Sequence, residues 1–129
     1  MPFVRIDLSK QHPESFARQV GDIVYEVMRE HINVPEGDRF QVITRHDSSE
    51  LVIPSSYLGI EYSEGVIFIQ VTLNAGRTTE MKKKFYHAVC DGLVEKLKVR
   101  PQDIVINLVE VNKENWSFGN GEMQYAPKD

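Results

Sequence analysis

The second residue of the chain, in the opening stretch MPFVRIDL, is the first that could do chemistry. A proline at the start of a strand is structurally harmless, because that position needs no hydrogen-bond donor. If Met1 is removed, as Met-Pro starts normally are, the Pro2 nitrogen becomes a free secondary amine that titrates near neutrality. A retained Met1 would turn it into an uncharged amide. Pro2 is therefore a candidate acid or base.

Two charged residues have sequence contexts that can bring them to Pro2. Arg77, in the segment NAGRT, precedes a predicted helix, and an arginine beside a helix N-terminus can hold a carboxylate. Its alternative is a solvent-facing loop arginine. Asp38, in PEGDRF, opens a strand that we expect beside the first. Its alternative is a turn aspartate that bonds its own backbone, a role that the similar setting of Asp103 favours.

The remaining reactive side chains point to no other chemistry. The four histidines show no metal-ligand spacing, and the chain has no phosphate-binding glycine motif and no GxSxG. Cys90 is expected to pack in a helix face. We therefore predict neither a metal nor a cofactor. The four histidines are His12, His31, His46 and His87.

Composition narrows the class of protein. A chain of 129 residues with 41% hydrophobic and 26% charged content predicts one domain, residues 1–129. The net charge of -4 argues against nucleic-acid binding. No apolar run reaches the length of a membrane span, and one cysteine cannot form an internal disulfide. A cytoplasmic location is expected.

Apolar residues at three-and-four spacing predict two amphipathic helices, residues 13–32 and 78–98. Thr78 or Thr79 can cap the second. The predicted buried faces are Phe16, Val20, Ile23, Val24, Val27, Met28 and Ile32 in the first helix, and Met81, Phe85, Ala88, Val89, Leu93 and Leu97 in the second.

The two helices belong to an internal repeat. A constant shift of 65 positions maps Phe16 onto Met81, Asp38 onto Asp103, and the strand FVRIDL onto FIQVTL. Each half, about residues 2–45 and 66–111, therefore reads as a βαβ unit with parallel strands. Two such units form an α+β fold in which a four-stranded sheet carries both helices on one face.

Three further features are not explained by the two βαβ units alone. The strands GVIFIQV and IVINLVEV are apolar on nearly every residue, which predicts burial on both faces and hence a homo-oligomer. The segment between the halves is expected to be a functional loop with a short strand or hairpin around 51–53. The tail 112–129, with NWSFGNGEMQY, is expected to be a flap that covers the core or a neighbouring subunit and dries a small site.

The Pro-started strand, the duplicated βαβ unit, GDRFQ, NAGRT and NWSFG together resemble the tautomerase superfamily, and within it the malonate semialdehyde decarboxylase branch. The resemblance spans nearly the whole chain. It implies a homotrimer whose members use an amino-terminal proline on small keto or unsaturated acids. By position, it implies Pro2 as the acid-base amine and Asp38 as the carboxylate that tunes it or positions water. It also implies substrate binding by Arg77, Trp116, Phe118 and Tyr125.

One position departs from the decarboxylase pattern. The decarboxylase has a second arginine two residues before the one matched by Arg77, where this chain has Ala75. Arg39 and Arg45 are candidates to replace it. We therefore expect keto-enol tautomerisation of a small 2-keto or 3-oxo carboxylic acid. The alternatives are a decarboxylase or hydratase acting on malonate semialdehyde, and a non-catalytic oligomeric binding protein.

Overall fold

Two parallel strand pairs, joined along an antiparallel seam, form the sheet of this computed structural model, which describes residues 2–126. Strand order is β2-β1-β5-β6: β1 and β2 run parallel, as do β5 and β6, while β1 and β5 run antiparallel. The elements are β1 (Phe3–Ser9), α1 (Glu14–His31), β2 (Phe40–His46), β3 (Ser56–Tyr57), β4 (Ile60–Glu61), β5 (Ile67–Asn74), α2 (Thr79–Leu97) and β6 (Ile104–Val111). The duplicated βαβ fold is therefore confirmed.

The helices begin and end close to the predicted positions. At the start of α2 the Thr78 hydroxyl accepts a hydrogen bond from the Met81 backbone N–H at 3.2 Å, which satisfies one of the free donors of the first turn. Lys98 ends the helix in a left-handed conformation with φ 58°. Pro13 lies immediately before α1, where its missing N–H costs nothing.

Both helices pack on one face of the sheet, and the core lies between them. Alternate residues of β1, such as Ile6 and Leu8, and the helix residues Phe85 and Leu93 are fully buried there. The helices approach so closely that a Cβ on Gly92 would lie 2.8 Å from the Ile23 side chain. A glycine is needed at this contact.

The opposite face of the sheet, called here the open face, is not covered by helices in the described chain. Phe40 is 46% exposed and Val42 is 40% exposed on β2. Gln70 and Asn107 bond each other across β5 and β6 at 2.9 Å and are exposed. The sequence predicted that both faces of the sheet are buried; within one chain, only the face that carries the helices is.

The connection between the units contains a hairpin, but not where the sequence predicted it. The paired strands are β3 and β4, several residues after the predicted 51–53. The turn between them is Leu58-Gly59, with φ 51° and 79°. Positive φ at both turn positions suits the twist of a two-residue hairpin. The hairpin therefore forms around this turn and not at the apolar run LVI, on which the prediction was based.

Among the described residues, neither long helix combines the length and the apolar composition needed to cross a membrane.

Candidate active site

The start of β1 and the end of β5 meet at one edge of the sheet, as the repeat predicts. Phe3 pairs with Thr72 of the antiparallel β5 and with Phe40 of the parallel β2. Pro2 lies one residue before this pairing and is buried. The loop before β2 and the loop after β5, which carry Asp38 and Arg77, therefore reach the same edge.

A cleft of about 220 Å³ opens beside Pro2. It is lined by Pro2, Phe3, Phe40, Trp116, Ser117 and Phe118, so most of its wall is aromatic. A larger groove of about 710 Å³ lies between the two helices, but its lining includes charged side chains that already face an opposite charge, such as His87 and Asp91. The smaller cleft is the one that contains Pro2; Trp116 and Phe118 line it as well, while Asp38, Arg77 and Tyr125 are not among its lining residues.

The C-terminal segment forms the wall. The Trp116 and Phe118 rings stack with centroids 5.3 Å apart, and Tyr125 meets Phe118 edge-on at 5.4 Å. Gln124 braces the turn by accepting from the Phe118 N–H at 2.9 Å and donating to the Gly119 carbonyl at 3.1 Å. The predicted flap thus lies against the cleft, and its residues 127–129 are outside the described part of the chain.

Asn74, the last residue of β5, connects this wall to Arg77. The Trp116 indole N–H donates to the Asn74 side-chain oxygen at 2.7 Å. Arg77 donates through Nη1 to the Asn74 carbonyl at 2.9 Å and through Nη2 to the Ile32 carbonyl at 3.2 Å. Arg77 is therefore partly buried and fixed between the end of α1 and the end of β5, rather than loose in solvent.

Asp38 has an unusual environment for a turn aspartate. Its Oδ1 is buried and has no hydrogen-bond partner among residues 2–126. Its repeat mate Asp103 is 3% exposed and accepts from the Ser63 N–H, the Ser63 hydroxyl and Arg100. The shared sequence context therefore does not give the two aspartates a shared role, and buried polar atoms without partners are rare.

Arg39 and Arg45 do not reach the cleft. Arg39 donates to Asp22 at 2.7 Å, on the α1 side of the sheet. Arg45, near the far end of β2, donates to the His12 carbonyl at 2.8 Å. Both side chains therefore bond away from Ala75, which occupies the position of the decarboxylase's second arginine. The predicted substrate contact by Arg39 stays a prediction.

One ion pair completes this edge of the sheet. Glu110 of β6 bonds Lys82 of α2 and also accepts from the Gly76 N–H at 3.4 Å. The hydrogen bond from Lys82 is the main reason that the pKa of Glu110 lies below its ordinary value. The pair ties the loop that precedes α2 to the sheet.

Several residues of the site were not predicted, among them the cleft residues Phe3, Phe40 and Ser117. Phe40 could have been found, because it opens β2 just as Phe3 opens the parallel β1. Asn74 lies inside the quoted NAGRT segment, but no pattern marked its side chain. Gln124 had no sequence signal. Among the described residues, no group of three or more His, Cys, Asp or Glu side chains could hold a metal ion.

The duplicated βαβ fold and the aromatic cleft beside Pro2 fit the resemblance that the sequence suggested. The family model described as "Tautomerase enzyme" matches residues 38–119. The chain therefore belongs to the tautomerase family, whose members are enzymes.

Individual relatives agree with this assignment. The chain is 40% identical to the probable tautomerase YusQ of Bacillus subtilis (strain 168), over 96% of this chain and 98% of that protein. It is 30% identical to the probable tautomerase YrdN of the same organism, over 97% and 96%. Among solved structures, FG41 malonate semialdehyde decarboxylase inhibited by 3-bromopropiolate superimposes with a TM-score of 0.88 at 34% identity, covering 95% and 93% of the two chains.

Proposed function

We propose that this protein is a cofactor-independent tautomerase that interconverts the keto and enol forms of a small 2-keto or 3-oxo carboxylic acid. The acid-base group is the Pro2 amine, freed by removal of Met1. General acid-base catalysis of this kind contributes roughly 100- to 10,000-fold in rate.

The observation that carries the proposal is the unpartnered, buried Oδ1 of Asp38 at the edge where β1 begins. Extending the parallel register back from Phe3 and Phe40 brings the residues before β2 alongside Pro2. A carboxylate there favours the ammonium form of the amine and raises its pKa. In the ammonium form the amine can give a proton to the carbon of the enol, which forms the keto acid; the neutral amine left behind takes that proton back in the reverse direction.

The other predicted site residues have complementary parts in this proposal. Arg77 uses two N–H groups on backbone carbonyls, which leaves up to three of its five for a substrate carboxylate. Trp116 and Phe118 form the apolar wall, and Tyr125 packs behind Phe118. A dry wall strengthens the electrostatic contacts of a bound carboxylate.

Decarboxylation or hydration of malonate semialdehyde is the second candidate, and the likeness to FG41 malonate semialdehyde decarboxylase favours it. Ala75 is exposed, and Arg39 and Arg45 bond elsewhere. Losing one of two charge-assisted contacts to a carboxylate costs about 1.5–3 kcal/mol. We therefore rank tautomerisation first.

The test follows enolised phenylpyruvate and malonate semialdehyde by proton NMR, with the wild type beside Pro2→Ala. Pro54→Ala, an exposed proline in the connection, is the matched control. We expect turnover of the enol that falls at least 100-fold in Pro2→Ala and is unchanged in Pro54→Ala. Faster loss of malonate semialdehyde would support the second candidate.

A third possibility is a binding protein that keeps the fold without turnover. Intact mass spectrometry of protein from native cells separates it from the two enzymes. A mass without Met1 supports the amine mechanism. A mass that retains Met1, with no turnover of either substrate, would refute it.

We also propose that the protein is a cytoplasmic homotrimer. A single cysteine fits a reducing compartment. The connection between β2 and β5 exposes apolar side chains that a second copy can cover: Leu58, in the hairpin turn, is 84% exposed, and Val52, which precedes the hairpin, is 90% exposed. Light scattering should give three times the chain mass, and Val42→Asp should lower it; a monomer at micromolar wild-type concentration would contradict the proposal.

A further inference from the structure

Tyr25 of α1 contacts the residues on both sides of Asp38. Its hydroxyl accepts a hydrogen bond from the Gly37 N–H at 2.8 Å. The guanidinium carbon of Arg39 lies 5.0 Å from the centroid of its ring, within cation–π range. One tyrosine therefore holds the residue before and the residue after the unpartnered carboxylate.

The Arg39 side chain is fixed at its other contacts as well. Its Nη2 donates to Asp22 at 2.7 Å and to Gln41 at 3.0 Å, and Gln41 donates to the Gly21 carbonyl at 2.9 Å. The side chain of Arg39 is 24% exposed and that of Asp22 is 52% exposed, so Arg39 is the more buried partner of this ion pair. The arginine that the sequence assigned to substrate binding instead ties the loop to α1.

Among residues 2–126, the hydrogen bond that Asp38 makes is a backbone bond within its own loop. Its N–H donates to the Pro35 carbonyl at 3.2 Å, and Gly37 adopts a φ of 83° beside it. A buried oxygen without a partner favours leaving its place, because water would solvate it. It stays only where neighbouring contacts fix the backbone, as other costly local arrangements do.

In the second repeat unit the corresponding aspartate is held by different contacts. There the carboxylate of Asp103 is itself bonded, to Ser63 and Arg100. The repeat mate of Tyr25 in that unit is Cys90, which cannot supply a comparable ring or hydroxyl. The tyrosine is thus present in the unit whose aspartate needs its backbone held from outside.

We propose that Tyr25 is a positioning residue that holds Asp38 toward the Pro2 amine through Gly37 and Arg39, without touching the substrate. This rests on the proposed function, since it assumes that Asp38 tunes Pro2. The other charged groups near this edge include Glu36 and Arg39 in the same loop, Arg77, and the Lys82–Glu110 pair, and the substitutions below leave all of them in place.

The experiment titrates the Pro2 amine by NMR in protein carrying isotope-labelled proline, with and without substitutions, and needs no substrate. Asp38→Asn should lower the amine pKa by about one unit, because the stabilising carboxylate is lost. Tyr25→Phe removes only the hydroxyl and should shift it in the same direction by less. Tyr25→Leu, which also removes the ring, should shift it further, and Tyr86→Phe on α2 is the matched control with no shift.

A double substitution tests whether Tyr25 acts on the Pro2 amine through Asp38. In the Asp38→Asn background, Tyr25→Phe should add no further shift, and kcat/KM should follow the same non-additive pattern. An unshifted titration in folded Tyr25→Phe and Tyr25→Leu would overturn the proposal, and so would an equal shift with and without Asp38. If Pro2→Ala leaves turnover unchanged, the proposed function fails, while the coupling between Tyr25, Asp38 and the amine is still read from the titration.

Discussion

The internal repeat supplies a matched pair of aspartates on which the argument for the site can be tested. Asp103 is buried and bonded by the Ser63 N–H at 2.8 Å and by Arg100 at 3.0 Å. Asp38, at the same position of the other unit, has a buried oxygen with no partner among the described residues. Replacing each by asparagine keeps the size of the side chain and changes its charge and its bonding.

The two substitutions should differ in their effect on the free energy of unfolding. Asp103→Asn turns one acceptor into an NH2 group that faces donors, and a hydrogen bond to a charged group is worth about 1.5–3 kcal/mol. The Arg100 pair adds little, because Arg100 is 46% exposed. We expect Asp103→Asn to lose about 2–4 kcal/mol. Asp38→Asn should lose no more than about 1.4 kcal/mol, because the buried Oδ1 has no hydrogen bond to lose among the described residues and one pKa unit of interaction with the Pro2 amine is worth that much.

The assay is urea unfolding followed by far-UV circular dichroism at one fixed chain concentration, since assembly couples stability to concentration. Activity is measured on the same samples well below the transition. Asp38→Asn should retain stability and lose activity, whereas Asp103→Asn should lose stability and retain activity while folded. If Asp38→Asn destabilises the protein as much as Asp103→Asn, then Asp38 has a structural role and the reasoning is refuted.

Three further predictions concern other groups. Because the pKa of Glu110 lies below its ordinary 4.5, chiefly through Lys82, its contribution to stability is full above that pH and is lost as the pH falls through the folded value. Lys82→Met should therefore flatten the acid limb of a stability–pH curve; an unchanged limb would contradict this. Burial raises the pKa of Cys90, so its thiol should react with iodoacetamide at pH 8 more slowly than a free cysteine; equal rates would disprove this. Asn74→Leu removes the acceptor of the Trp116 indole, and the emission of this only tryptophan should shift and become easier to quench with acrylamide, whereas Asn74→Asp should keep the wild-type spectrum.

The helices and the sheet could be predicted because their signals are local and repeated. The apolar face of α1, with Val20 and Val24, and that of α2, with Phe85 and Leu93, each follow helical spacing and are buried as predicted. Because a constant shift of 65 positions relates the two units, each predicted strand was supported by the matching strand of the other unit. The hairpin was misplaced because its position depends on positive φ at Leu58 and Gly59, which an apolar run does not reveal.

The site could be predicted in part. The repeat and the resemblance together named Pro2, Arg77, Trp116 and Phe118, and the topology brings these segments to one edge of the sheet. Arg39 was assigned to the substrate as a candidate to replace the second arginine of the decarboxylase, whose position is Ala75 here. Its ion pair with α1 depends on which side of β2 it faces, and the sequence around it gave no sign of this.

The sequence alone thus determined the two βαβ units, the helix faces and the residue types available at the first strand, because periodicity and repetition are properties of the chain itself. Only the tertiary structure decided that the Asp103 carboxylate is bonded while Oδ1 of Asp38 has no partner among the described residues, and that Tyr25 contacts both Gly37 and Arg39 in that loop. These differences depend on contacts between residues far apart in the chain. Identical local patterns can therefore end in opposite environments, and the unbonded aspartate marks the end of the sheet where we propose the chemistry takes place.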